Sequence, residues 1–173
     1  MVEREPGEWC PEPAGEGSYV VVLWEGRDGA EVRDTDIVVG VDGSPSSQVA
    51  LRWAVTQARR TGARVQALAA WEVPVVFGGL RVVPYEELAA TAGRVVSESV
   101  REAFDEGDPD VPVVEVVVAG HPAQALLDMS ARAGLLVVGC RGHGTFTGTQ
   151  LGSVSRHCVH HARCPVVVVR GKC

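Results

Sequence analysis

The chain has 173 residues with a formal net charge of −6, and 46% of its residues are hydrophobic, a balance that suits one folded domain with a sizeable core. The acidic surplus argues against nucleic acid as a partner, because phosphate backbones are bound through an excess of lysine and arginine. No apolar run approaches the ~20 residues of a membrane helix, and the acidic N-terminus lacks the apolar centre of a signal peptide, so we expect a cytoplasmic protein with no membrane partner.

Residues 1–35 lie outside the regular pattern of the rest of the chain, and we expect them to form a partly disordered extension. Met1–Gly17 is dominated by Glu, Pro and Gly, a composition typical of disorder. The apolar run Tyr19–Trp24 can form a hairpin with Glu31–Arg33, or lie at an edge of the sheet. A second interpretation is that the natural start lies further downstream and this segment is not part of the working protein. Both interpretations are open.

From Asp36 onward, predicted strands and helices alternate, and we expect one domain over residues 36–171. The predicted strands are Ile37–Val41, Val65–Trp71, Val113–Val118, Leu135–Val138 and Pro165–Val169. Helices are predicted between them, beginning near Ser44, Tyr85, Ala123 and Val154; for the first, Ser44 is the N-cap, Pro45 the first helical residue and Gly62 the C-terminal cap. This alternation predicts an α/β fold: an open five-stranded parallel sheet with helices on both faces, a Rossmann-like three-layer sandwich.

A glycine-rich loop follows the fourth predicted strand. Gly139-Cys140-Arg141-Gly142 is separated by nine residues from Gly152-Ser153, where the last helix begins. Glycines let the backbone approach an anion, and a helix start offers unpaired N–H groups, so nucleotide binding is the leading hypothesis. The loop matches neither the P-loop nor the dinucleotide-binding fingerprint, and as a bare pattern its glycines are equally well explained as turn residues.

The loop and the turn at Asp42-Gly43 both follow the C-terminal end of a predicted strand. In parallel α/β sheets, ligands bind at that edge, where the strand order reverses, so we expect the two segments to meet at one crevice. Asp42 has two interpretations: a ligand contact, or an aspartate that forms a turn and caps the following helix.

The order of apolar strand, G-x2-G, nine residues, G-S and helix resembles the nucleotide-binding branch of the universal stress protein family. Asp36–Ser44, Gly120-His121-Pro122 and Val137–Arg170 are similar to segments of that family, so the resemblance covers nearly the whole predicted domain. It implies an adenine nucleotide alpha hydrolase-like fold and ATP binding. The residues that it assigns to ribose and phosphates are Gly139, Arg141, Gly142, Gly152, Ser153, Val154 and Ser155. Those that it assigns to the adenosine end are Gly40, Val41, Asp42 and Ala70.

The resemblance also implies partners. Some relatives carry a divalent metal with the nucleotide; because no dedicated set of protein ligands is evident, we expect phosphates and water to hold any Mg²⁺. The last strand, 165–169, would pair with its copy in a second subunit to give a homodimer. The alternative is an ordinary edge strand that the N-terminal segment protects.

We therefore expect an ATP-binding regulatory protein of the stress response, acting through nucleotide-dependent conformation or partner binding. Slow ATP hydrolysis or phosphoryl transfer at the same loop is the alternative, but no catalytic residue is identifiable, since the sequence places no general base. A member that binds no nucleotide is a third possibility, and the intact G-x2-G-x9-G-S pattern counts against it.

Histidines and cysteines near the C-terminus raise the question of a metal site. His157 and His161 have a usable zinc spacing on a helix, but the sequence places no third ligand, so we predict no metal centre. The five cysteines are odd in number and have no framework spacing, which is typical of free thiols in a reducing compartment.

Overall fold

The computed structural model describes residues 12–14, 18–21, 32–72, 84–104, 111–142 and 151–170. These ranges contain seven strands and four helices. In chain order they are β1 (Glu12–Ala14), β2 (Ser18–Val21), β3 (Ile37–Gly40), α1 (Pro45–Thr61), β4 (Val65–Trp71), α2 (Tyr85–Ala103), β5 (Val113–Ala119), α3 (Pro122–Ser130), β6 (Leu135–Gly139), α4 (Ser153–His161) and β7 (Val166–Val169).

All the strands form one sheet, in the order β1-β2-β5-β4-β3-β6-β7. The five strands from β5 to β7 pair in parallel, which confirms the predicted five-stranded parallel sheet. The strand order reverses at β3, where Ile37 is in register with Val65 of β4 on one side and with Leu135 of β6 on the other. The C-terminal ends of β3 and β6 are therefore neighbours, and this is the position where such sheets bind ligands.

The N-terminal strands differ from the sequence expectation. β1 and β2 form an antiparallel hairpin, so the strand that begins the Tyr19–Trp24 run pairs with Glu12–Ala14 rather than with Glu31–Arg33. Val32 and Arg33 are not in a strand, and Glu12–Ala14, expected to be disordered, is ordered as β1. The other residues of Met1–Gly17, and 22–31, lie outside the described ranges.

The N-terminal hairpin also lies at the opposite edge of the sheet from the one considered in the sequence. β2 pairs antiparallel with β5, through Val20 with Val118 and Val21 with Val117. The expectation that this segment protects the last strand is therefore wrong. The edge strand β5 is seven residues long and β7 is four, so β5 offers more backbone groups for pairing. The Tyr19–Trp24 run is rich in β-branched and aromatic residues, which favour a strand at such an edge.

The local signals at the helix ends behave as the sequence predicts for α1. Ser44 Oγ accepts a hydrogen bond from the Ser47 N–H at 3.2 Å. Gly62 ends the helix in the left-handed region at φ 72°, with its N–H donating to the Ala58 carbonyl at 2.8 Å. The third helix, α3, ends at Ser130 without a glycine cap. The chain turns there so that the Gly134 N–H can donate to the Asp36 carbonyl at 3.0 Å.

Two hydrophobic clusters cover the two faces of the sheet. One joins α1 and α2 to Val39 and Val137, and the other joins α3 and α4 to Val38 and Leu136. Successive residues of β3 and β6 thus alternate between the clusters, as the pleat of a strand buried on both faces requires.

Within the described ranges, no helix has both the length and the apolar character needed to cross a bilayer.

A buried ion pair fixes the start of β3. Asp36 is 1% exposed, and its carboxylate accepts hydrogen bonds from Arg64 Nη2 at 2.8 Å, the Arg33 N–H at 3.0 Å and Gln66 Nε2 at 3.1 Å. Burial disfavours the charged form of Asp36, but these hydrogen bonds outweigh it and lower the pKa of the carboxyl below its usual value. The edge of the sheet opposite the C-terminal strand ends is thereby held by a charged contact.

Candidate functional site

A cavity of about 520 Å³ lies at the C-terminal ends of β3, β4 and β6. This volume is within the range of small-molecule sites. The structure brings all the residues proposed for nucleotide contact to its wall: Gly40, Val41, Asp42, Ala70, Gly139, Arg141, Gly142, Gly152, Ser153, Val154 and Ser155. The lining also includes residues that the sequence analysis did not select: Ser47, Leu68, Pro122, Leu126, Val138, Leu151 and Arg156.

The part of the wall contributed by β4 and α3 is apolar. Leu68 and Ala70 are two positions apart on β4 and so share one face of the strand. This period-2 relation is the signal that would have added Leu68 to the predicted set. Leu126 of α3 lies close to Gly40, where the Cβ of any other residue would come within 3.1 Å of Leu126 Cδ1. Glycine at position 40 therefore lets Leu126 pack closely against the end of β3.

The opposite end of the cavity is formed by the glycine loop and the start of α4, which are tied together by backbone hydrogen bonds. The Gly152 N–H donates to the Cys140 carbonyl, and the Cys140 N–H donates to the Val169 carbonyl, each at 2.8 Å. Ser155 is buried, and its hydroxyl donates to the Gly139 carbonyl at 2.6 Å. Ser155 thus holds the loop against the helix, a contact that the sequence analysis did not predict.

The N-terminus of α4 presents hydrogen-bond donors to the cavity. The first helical hydrogen bond runs from the Arg156 N–H to the Gly152 carbonyl at 2.9 Å. The amides of Ser153, Val154 and Ser155 precede it and have no acceptor within the helix. The first turn contains no acidic residue that would neutralise the positive end of the helix dipole. These features together make an anion-binding element.

Asp42 has the turn role that the sequence left open for its position, and its contact with a ligand stays a prediction. Its Oδ1 accepts a hydrogen bond from the Ser44 N–H at 3.0 Å, which forms the turn leading into α1. Its side chain is exposed and lines the cavity, and its Oδ2 lies where a Cβ on Gly142 would overlap it. Asp42 therefore shapes the mouth of the cavity as well as the turn.

Gly139 is required by a close approach of two backbones. A Cβ at this position would come within 2.6 Å of Ser46 Oγ and 2.8 Å of the Ser46 carbonyl carbon. The end of β6 can therefore pack against the first turn of α1 only without a side chain at residue 139. This contact draws the glycine loop towards α1.

The lining is equipped for binding an anion with an apolar group attached. Of the described residues around the cavity, Asp42 is the one carboxylate, and Arg141 and Arg156 bring guanidinium groups. Two histidines flank the predicted crevice in the sequence: His121 is exposed and is not part of the lining, and His143 lies outside the described ranges. In the described lining, the one side chain that could act as a general base is therefore Asp42, whose Oδ1 already accepts a hydrogen bond in the turn.

The histidines and cysteines of α4 lie away from the cavity. The His157 and His161 rings are exposed, with centroids 4.5 Å apart. The described ranges contain no group of three or more His, Cys, Asp or Glu residues placed to hold a metal ion. Cys158 is fully buried, and burial, with a smaller contribution from neighbouring Cys164, raises the pKa of its thiol to about 11. Cys158 is therefore a core residue.

Comparisons with known proteins agree with this architecture. The sequence model of the universal stress protein family matches residues 35–170. Universal stress protein Rv2005c of Mycobacterium tuberculosis is 43% identical over 138 residues, which are 78% of this chain and 45% of the relative. The chain thus spans about half the length of the relative.

Solved structures show the same fold. UspA from Lactobacillus plantarum superposes with a TM-score of 0.64 at 26% identity, over 81% of this chain and 100% of that protein. A universal stress protein in complex with cAMP superposes with a TM-score of 0.57 at 26% identity, over 80% of this chain and 98% of that one. The sequence match and the shared architecture lead to one conclusion: this chain belongs to the universal stress protein family.

Proposed function

We propose that the cavity binds an adenine nucleotide and that ATP is the ligand in the cell. The observation that carries the proposal is the open N-terminus of α4, whose amides lie beside the glycine loop at one end of a cavity with an apolar opposite end. A nucleotide has the same division, with charged phosphates at one end and a flat, largely apolar base at the other. The family member of known structure that holds cAMP supports this class of ligand.

The orientation of the nucleotide follows from the chemistry of the two ends. Phosphates belong beside the α4 amides and the guanidinium of Arg141, because helix dipoles and charge-assisted hydrogen bonds stabilise anions there. The base belongs against Leu68, Ala70 and Leu126, where it buries apolar surface. Mg²⁺ would be held by phosphate oxygens and water, since Asp42 is the one carboxylate in the described lining.

The biological role that we propose is regulation rather than catalysis. The described part of the lining supplies mainly hydrogen-bond donors and guanidinium groups, which stabilise bound ATP rather than activate water for attack on it. We infer that the protein acts in the cytoplasm, in the stress response, through a nucleotide-dependent conformation or partner. The β7 edge, which in the described ranges pairs only with β6, supports a homodimer formed by pairing this strand with its copy.

Isothermal titration of the full chain with Mg-ATP, AMP, cAMP and GTP tests the ligand class. We expect saturable binding of the adenine nucleotides at one site per chain, and weaker binding of GTP. Adenosine serves as the matched ligand without phosphate, and ADP release measured in parallel reports turnover. The absence of binding at millimolar concentrations of every adenine nucleotide would overturn the proposal, and steady ADP release would replace regulation with ATP hydrolysis.

A further inference from the structure

The hydroxyl of Ser46 contacts the glycine loop from the other side of the cavity mouth. We infer that Ser46 is a positioning residue, which turns the peptide between Arg141 and Gly142 so that the Gly142 N–H becomes a donor to the nucleotide's phosphate. The inference rests on the proposed function and extends it by assigning the control of that peptide to a side chain on a different element.

The contact joins residues that are distant in the sequence. Ser46 is buried in the first turn of α1, and its Oγ donates a hydrogen bond to the Arg141 carbonyl, 95 positions later. Ser44 Oγ approaches the same carbonyl at 3.4 Å. Two hydroxyls, one from the N-cap and one from the first turn of α1, therefore hold one carbonyl of the loop, on the side of the loop that faces α1.

The position of the carbonyl determines the direction of the adjacent N–H. In a planar trans peptide the C=O and the N–H point in opposite directions, and the described residues include no cis peptide. Anchoring the Arg141 carbonyl at α1 directs the Gly142 N–H away from α1. The Gly142 nitrogen lies 3.7 Å from the point that a Cβ on Gly152 would occupy, which places it next to the start of α4.

The Gly142 N–H and the α4 amides thus converge on one region of the cavity. The described residues provide no acceptor for the Gly142 N–H, which suits a donor that awaits a ligand. Without the Ser46 hydroxyl, the Arg141 carbonyl would lose the shorter of its two hydroxyl contacts, and the peptide would rotate more easily because Gly142 has wide conformational freedom. A rotated peptide would present the Arg141 carbonyl oxygen to the phosphate, and two negative groups would then face each other.

Other features of α1 fix Ser46 in place. Ser44 caps the helix, Pro45 occupies its first position, and Ser47 Oγ donates to the Ser44 carbonyl at 2.9 Å. The Ser46 hydroxyl is therefore presented by a rigid helix start rather than by a mobile loop. This rigidity is the property that a positioning residue needs.

The test compares Ser46→Ala with the wild type, using ATP and adenosine as ligands. We expect Ser46→Ala to bind Mg-ATP about tenfold more weakly, a loss of about 1.4 kcal/mol, and adenosine equally well. Ser99→Ala removes a buried serine of α2 that is not in the cavity lining and serves as the control. In NMR titrations, the Gly142 amide proton should move downfield on ATP binding in the wild type and much less in Ser46→Ala.

The outcomes separate this inference from the proposed function. If the wild type binds ATP and Ser46→Ala binds it equally well, Ser46 has no positioning role. If Ser46→Ala loses ATP and adenosine to the same degree, the effect is a general distortion of the site and the inference is also wrong. A wild type that binds neither ligand overturns the proposed function itself.

Discussion

Gly152 offers the sharpest test of where the phosphates bind, because its replacement by alanine should block the ligand without disturbing the fold. A Cβ at residue 152 would have Arg141 Cα at 3.5 Å, the Cys140 carbonyl oxygen at 3.6 Å and the Gly142 nitrogen at 3.7 Å as its nearest neighbours. These are ordinary van der Waals distances. The backbone at Gly152, with φ −65° and ψ 164°, is accessible to any residue.

The expected change in the free energy of unfolding is small, because two effects oppose each other. Alanine is a poorer N-cap than glycine, which costs up to about 1 kcal/mol. Alanine also reduces the conformational entropy of the unfolded chain, which stabilises the protein by about 0.4–1 kcal/mol. The new methyl group nevertheless fills the gap between the loop and the α4 start, where we place the phosphates.

Thermal unfolding with and without Mg-ATP measures the effect. A ligand at about one hundred times its Kd stabilises the wild type by about 2.7 kcal/mol. For a chain of this length each 1 kcal/mol raises Tm by about 2–4 °C, so ATP should raise the Tm of the wild type by about 5–11 °C. In Gly152→Ala the shift should vanish, while the Tm of the unliganded protein should change by no more than about 3 °C.

Gly139→Ala is the matched comparison, since it adds the same methyl group to the same loop. Its Cβ would meet the backbone of Ser46 at 2.8 Å, and a helix backbone cannot move aside as a flexible side chain can. We expect a loss of about 1–3 kcal/mol of stability from this overlap.

A Gly152→Ala protein that keeps the full ATP shift would refute our assignment of the phosphate site.

Three further predictions concern parts of the molecule outside the cavity. In urea unfolding, Asp36→Asn should lower the free energy of unfolding more at pH 7 than at pH 3. Because the pKa of Asp36 is lowered in the folded protein, its carboxylate stabilises the fold above the usual pKa of 3.8. This contribution is lost as the pH falls through the pKa of the folded state. An equal loss at both pH values would contradict this account. A thiol reagent at pH 8 should leave Cys158 unmodified in the native protein and modify it after unfolding, because the thiol is buried and its pKa is about 11. Peptide mass spectrometry measures this modification, and labelling of Cys158 in the native protein would disprove its burial. In β7 the carbonyls of Pro165 and Val169 point to β6, so by alternation the Val168 N–H points outward. Val168→Pro should therefore leave the fold intact and yield monomers in light scattering. As the control, Val167→Pro should destabilise the chain, because by the same alternation the Val167 N–H points to β6. A Val168→Pro protein that is still a dimer would exclude β7 as the interface.

The sequence predicted best those elements whose signals are local. Ser44, Pro45 and Gly62 set the ends of α1 within a few residues of themselves, and the β4 boundaries matched because flanking residues interrupt a short apolar run. The pairing of β2 was not predictable in this way. Val20 lies opposite Val118, nearly a hundred positions later, and nothing in a short valine-rich run specifies which sheet edge it joins.

The site shows the same division between local and long-range information. The predicted residues surround one cavity because the C-terminal ends of parallel strands meet at one edge of the sheet, a rule that needs only the order of elements. Ser46 was missed because its partner is a backbone carbonyl from the other half of the chain, and a carbonyl leaves no mark in the sequence. The hydrogen bond from the Ser155 hydroxyl to the Gly139 carbonyl was missed for the same reason.

Among the described strands, the hairpin of β1 and β2 occupies one edge of the sheet. A sheet with two open edges can add copies without limit, as fibrils do. Here the added hairpin ends at β1, a three-residue strand whose central residue, Pro13, has no N–H to offer a neighbour. If chains associate through β7, the described strands of each leave this one long edge for pairing, and a two-fold pair uses both. The short N-terminal hairpin would then act as a terminator that keeps the assembly at two chains.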